Sequence, residues 1–172
     1  MKIKLIILLL LLVTINATAQ KMFSCACEGF VDKNFKGFIS LLDKPNGSAQ
    51  QVLKNNLKSE GYLIFSIDKV SDSFFHVKMK YAITDKPYQG WISRSKYLLT
   101  SVRNHELAIS LYSEPSLTSK TKAIIPNTCS GPFQIFNCAQ SWIYIKKLAT
   151  QTKLEGWLQS KDQCANPNIA CD

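Results

Sequence analysis

The body of this chain reads twice. Ile39-Ser40-Leu41 recurs as Ile109-Ser110-Leu111, and Pro45 recurs as Pro115, both at an offset of 70. Ser73-Phe74-Phe75-His76-Val77-Lys78 aligns with Ser141-Trp142-Ile143-Tyr144-Ile145-Lys146 at an offset of 68, and Gly90-Trp91-Ile92 with Gly156-Trp157-Leu158 at 66. So small a drift corresponds to short loop deletions. A unit of about 65 residues present twice confines the chain to architectures built from small repeated modules, and argues against most enzyme folds.

Each unit reads as short strands between turn residues. In the first, Leu63, Phe65 and Ile67 alternate with Tyr62, Ile64, Ser66 and Asp68. Ser71-Asp72-Ser73 breaks this run, and Phe75, Val77, Met79 and Tyr81 then share one face of a second run from Phe74 to Ile83. Period-two alternation around a short polar turn predicts a hairpin. The second unit repeats the pattern with Phe133 to Asn137, a turn at Ala139-Gln140, and Trp142 to Lys146. Pro45-Asn46-Gly47 and Pro115-Ser116 mark the loop after each first strand. Ser48 to Lys58 has some helical look, and a loop with a short strand fits it equally well.

Five short strands, a long loop after the first, and a closing segment Gly90-Trp91-Ile92-Ser93-Arg94-Ser95-Lys96-Tyr97-Leu98 resemble the bacterial SH3-like domains of exported wall-associated proteins. The second unit departs from that pattern after Gly156-Trp157-Leu158, where Cys164 stands in the place of Leu98. The resemblance implies an all-β chain of two small SH3-like β-barrels in tandem, at 34–100 and 101–163. A Cys-containing arm at 20–33 precedes them and a C-terminal disulfide loop at 164–172 follows. A barrel this small curls one sheet on itself and buries a single face, which explains how about 60 residues hold together.

The first nineteen residues read as a secretory signal: Lys2 and Lys4, an apolar run from Leu5 to Val13, and Ala17-Thr18-Ala19 before the cleavage point. Cleavage after Ala19 leaves 153 of the 172 residues and lowers the net charge from +9 to +7. Nothing after Ala19 is apolar enough to cross a membrane as a helix. The expected location is therefore periplasmic or secreted.

All six cysteines survive cleavage, and an even number in an exported chain points to disulfides. Cys129 and Cys138 flank one expected strand; fully extended, it would set them about 30 Å apart, against a Cα limit of roughly 7 Å for a disulfide. Cys164 and Cys171 bracket Ala165-Asn166-Pro167-Asn168, a turn-rich loop that closes readily. The expected pattern is Cys164 with Cys171, and Cys25 and Cys27 tying the arm to Cys129 and Cys138.

The inventory holds little catalytic chemistry. His76 and His105 are the two histidines, and neither lies in a catalytic-looking sequence around a cysteine. There is no Gly-x-Ser-x-Gly elbow, phosphate-binding glycine loop or His-x-x-x-His pair. The reading is of no enzyme, no cofactor and no metal. Cys25-Ala26-Cys27 is the one reactive-looking element, able to shuttle disulfides or, with Met22, to hold a cuprous ion.

In the resembled family, ligands lie between the long loop and the hairpin loop. That implies Tyr62, Phe74, Tyr88 and Trp91 in the first unit, and Trp142, Tyr144 and Trp157 in the second, as aromatic platforms for peptides or sugars. Lysines spread along the whole chain suit an anionic envelope or an acidic partner, and no dense basic cluster marks a nucleic-acid site. The expected function is non-catalytic recognition of peptidoglycan or another cell-envelope component. An inhibitor or immunity-type protein that caps a folded partner is the main rival.

Overall fold

The computed structural model describes residues 22–55, 61–103, 108–129, 131–147 and 154–166. The signal segment, His105 and Cys171 lie outside them. The first strand, β1 (Met22–Val31), is followed by the hairpin β2 (Phe38–Leu42) and β3 (Ala49–Lys54). Next come β4 (Leu63–Ser71), β5 (Phe74–Tyr81) and β6 (Tyr88–Ser93), then β7 (Leu98–Val102). The second half supplies β8 (Ile109–Tyr112), β9 (Thr121–Ile125), β10 (Phe133–Ala139), β11 (Trp142–Lys147) and β12 (Glu155–Gln159). A 3-10 turn at Ser160–Asp162 and β13 (Gln163–Cys164) complete the described chain.

The fold is all-β, and every strand-to-strand ladder is antiparallel. The hydrogen-bonded order is β3-β2-β6-β5-β4-β1-β7-β10-β11-β12-β8-β9, with β13 joined to β7. Read inward from either end, each half runs second strand, first, fifth, fourth, third. The duplication in the sequence thus has a counterpart in the strand order.

It extends to the irregularities. Register shifts fall between Ile67 and Lys69 in β4 and between Ile135 and Asn137 in β10, at the same repeat position. A second matched pair lies between Leu41 and Leu42 and between Leu111 and Tyr112. The hairpin turns match too: Asp72 and Gln140 both take positive φ, 41° and 52°, a conformation uncommon outside glycine.

The expected closed barrels are not what the ladders form. β4 and β10, the inner strands of the two halves, pair with β1 and β7, which bind to each other. The result is one large open sheet. β1, read from sequence as an arm, is the longest strand among the described residues, at 10 residues. Its alternation is broken by a register shift between Ser24 and Cys27, so Cys27 and Val31 turn into the core.

One face carries most of the core. Cross-strand pairs such as Phe65 with Met79, Ile67 with Val77 and Phe75 with Ile92 bury it in the first half. Cys138 with Ile143 and Ile135 with Ile145 do so in the second. Val31 with Leu98 and Thr100 with Phe133 carry it across the centre. Buried side chains of this size contribute about 1.5–3 kcal/mol each relative to exposure. Asn55, a buried polar residue, is fully engaged: its Nδ2 donates to the carbonyls of Asp32 (2.9 Å) and Phe35 (3.3 Å), and its Oδ1 accepts from the Leu63 amide at 3.2 Å. Among the described residues no helix is long and apolar enough to cross a membrane.

Candidate functional site

Alternation decides what the outer face presents. Because Phe75, Val77 and Met79 point inward, Phe74, His76, Lys78 and Lys80 of β5 point outward. In β11, Ile143 and Ile145 point inward, so Trp142, Tyr144 and Lys146 point outward. Both outward rows read ring, ring, lysine. Each middle ring meets a tryptophan on the next strand: His76 opposes Trp91 edge-on at 5.2 Å, and Tyr144 opposes Trp157 edge-on at 5.4 Å. These two pairs occupy the same repeat position.

Pairing links the two rows across the centre of the sheet. Lys80 pairs with Ile64, Ile64 with Phe30, Phe30 with Leu99, Leu99 with Gln134, and Gln134 with Lys146. Cross-strand partners share a face, so both rows belong to the same side of one sheet.

In the second half the row is a ring cluster. Tyr112 pairs with Trp157 and packs edge-on against Trp142 at 5.4 Å. The Lys122 ammonium donates to the Tyr144 hydroxyl at 2.7 Å and lies 3.0 Å from the Glu155 carboxylate, which also attracts Lys146 at 3.8 Å. Hydrogen bonds to Tyr144 and then to Glu155 hold the Lys122 ammonium above its ordinary value. Tyr144 and Trp157 are half-buried, whereas Trp142 is buried.

In the first half, Trp91 is buried under its neighbours and Phe74 is half-buried. His76 Nδ1 lies 2.6 Å from Asp68 Oδ1. A groove of about 270 Å³ beside this row is lined by Lys78 and Lys80 of β5, Ile64 of β4 and Glu28 of β1, together with Pro87 and Ala165. Such a lining suits a ligand that carries both charges on an apolar body.

The structure brings Trp142, Tyr144 and Trp157 together and separates others. Tyr88 pairs with Met79 on the core side, the opposite face from Trp91. It packs edge-on against Tyr81 at 6.3 Å, with the Lys86 ammonium 5.5 Å from its ring centre. The Tyr62 hydroxyl donates to Asn166 Oδ1 at 3.0 Å and so anchors the segment after β13, and burial raises its pKa. Sequence reasoning missed Tyr112, Lys122, Glu155 and the groove residue Glu28. The matched offset of Tyr112 to Leu42 in the first unit gave no aromatic signal.

The cysteines divide. Cys27 and Cys138 form a disulfide on the core face, with Cα atoms 6.5 Å apart. Cys164 is disulfide-bonded, and the expected partner, Cys171, lies outside the described residues. Cys25 and Cys129 carry free thiols, contrary to the expected pattern. Cys129 precedes the opposite end of β10 from Cys138, and its sulfur accepts from the Lys147 ammonium at 2.6 Å. Cys25 stands beside the bonded pair: the sulfurs of Cys25, Cys27 and Cys138 all lie within 4.8 Å of one another. Burial, and secondarily the Asp68 carboxylate, pushes the Cys25 thiol up to about 12, which opposes use as a nucleophile at neutral pH.

No protein-family model, curated protein or solved structure matches the chain.

Proposed function

We propose that this chain is a non-catalytic, exported binding protein whose two halves are SH3-like modules opened onto one sheet. It recognises peptidoglycan or another cell-envelope component through the outer face. The observation that carries this reading is the repetition of one surface pattern: Phe74, His76 and Lys78 beside Trp91, and Trp142, Tyr144 and Lys146 beside Trp157. The inward residues make the core; in the outward rows Trp91 and Trp142 are buried as well, whereas Phe74, His76, Tyr144 and Trp157 keep partial exposure at duplicated positions. Ring edges flanked by ammonium groups suit a polymer of sugars and short peptides bearing carboxylates. Two rows on one side of a sheet let weak sites add by avidity.

A second reading, a cap for a folded envelope protein, is favoured by the β2–β3 hairpin. Phe38 and Val52 stand exposed on the same face of this edge, as an apolar anchor for a partner would. Co-sedimentation with purified peptidoglycan sacculi at about 0.5 M salt, where exposed charge attraction is largely screened, separates the two. Retention supports the polymer reading. Loss of all binding, together with a discrete complex of defined mass with one envelope protein, moves the function to the second.

A further inference from the structure

Two β-bulges face each other where β1 meets β4. One holds Cys25-Ala26, at the register shift between Ser24 and Cys27; the other holds Asp68, at the shift between Ile67 and Lys69. The bulge in β1 moves Cys25 out of simple alternation and brings its sulfur to the disulfide. Backbone bonds fix it there: the Ala26 amide donates to the Gln140 carbonyl at 2.6 Å, and the Gln140 amide donates to the Ser24 carbonyl at 3.1 Å. Cys25 therefore bridges to Gln140, two residues beyond Cys138. Its sulfur lies within 4.8 Å of that of Cys138, on the strand that Cys27 staples to this hairpin.

We infer that Cys25, Cys27 and Cys138 form an internal thiol–disulfide exchange site with two interchangeable staples, Cys27–Cys138 and Cys25–Cys138. In the step, the Cys25 thiolate attacks Cys138 Sγ. A Cys25–Cys138 bond forms, the Cys27–Cys138 bond breaks, and Cys27 leaves as a thiolate that takes up the proton Cys25 released. The number of disulfides is unchanged, so no oxidant or reductant is needed. The backbone carbonyl of Trp142, 3.1 Å from Cys27 Sγ, stands ready to accept a hydrogen bond from the new Cys27 thiol. Attack at Cys138 keeps β1 tied to β10 throughout, which attack at Cys27 would not.

The charged group facing Cys25 is Asp68 on β4, with His76 of β5 hydrogen-bonded behind it. The side toward β10 offers the neutral Gln140. The exchange is therefore slow at neutral pH and speeds up with alkalinity, about tenfold per pH unit below the thiol pKa.

Disulfide mapping of the full chain tests this. The wild-type protein is incubated in dilute solution, without added thiol, at about pH 8 and pH 10, quenched in acid, alkylated, digested and fragmented by tandem mass spectrometry. A Cys25–Cys138 linkage with alkylated Cys27 is expected, rising about a hundredfold in rate between the two conditions. Asp68→Asn should speed it at the lower pH. In Cys27→Ser, oxidative refolding should yield Cys25–Cys138 directly. Absence of that linkage from both proteins, with Cys25 alkylated in each, overturns the inference; the wild-type arm stands whether or not the variant folds.

Discussion

A methyl group added at Gly156 would stand 2.9 Å from Leu111 Cβ, closer than side-chain carbons approach. The repeat reproduces this relation: at Gly90 the added carbon would meet Leu41 Cβ at 3.0 Å. In both places the first strand of a half lies tightly against its fifth, and the residue before each tryptophan must be glycine.

Gly90→Ala and Gly156→Ala are accordingly expected to destabilise the fold by about 1–3 kcal/mol each, the usual range for overpacking. Urea denaturation measures this. A change within about 0.5 kcal/mol for both, as for ordinary surface sites, would refute the close approach.

The two tryptophans should behave differently. Trp91 is 7% exposed, so Trp91→Ala is expected to cost about 3–5 kcal/mol of stability. Trp157→Ala should cost less and instead weaken ligand binding. Thermal melts and binding isotherms of the two variants side by side check the division.

Much of this was legible in the sequence, and the exceptions have physical causes. The alternation of Leu63, Phe65 and Ile67 against Phe75, Val77 and Met79 gave the first hairpin and its buried face. Strand parity also carried information that the grouping of Tyr88 with Trp91 overlooked: three residues apart on one strand, they must face opposite sides. Ser48 to Lys58 was ambiguous because Ala49–Lys54 is an edge strand with few buried residues, so neither helical nor strand periodicity was strong. The place of β1 left no local trace. Its pairing with β4 and β7 is long-range, and the bulge at Cys25-Ala26 disrupts the alternation that would have marked a strand. The same bulge, opposite the one at Asp68, assembles Cys25, Asp68 and His76 from three strands, which no spacing along the chain announces.

Cys25 sets an alkaline limit on stability. Its thiol is raised from 9.0 to about 12 in the folded chain. Between these values the unfolded chain has released a proton that the folded chain keeps, so stability falls as pH rises through that window. Cys25→Ser should lack this part of the decline. Urea midpoints of wild type and variant at about pH 8 and pH 10 measure it; parallel losses would count against the burial of the thiol.

The Cys27–Cys138 bond spans 111 residues, a loop long enough for its removal to cost about 2–5 kcal/mol. The double variant Cys27→Ala/Cys138→Ala should show that full loss in denaturant. Cys27→Ser alone should lose less, because Cys25 can take over the staple. Equal losses would indicate that no replacement bond forms.

The central claim is that the duplicated outer rows bind the envelope polymer. The most direct measurement is affinity for purified peptidoglycan sacculi at about 0.5 M salt for four proteins. These are wild type, Phe74→Ala/His76→Ala, Tyr144→Ala/Trp157→Ala, and all four substitutions together, each verified as folded. Binding by wild type, reduced at least tenfold by either pair and abolished by the combination, is the predicted result, as expected for two sites adding by avidity. Unchanged binding in the combined variant would contradict the account.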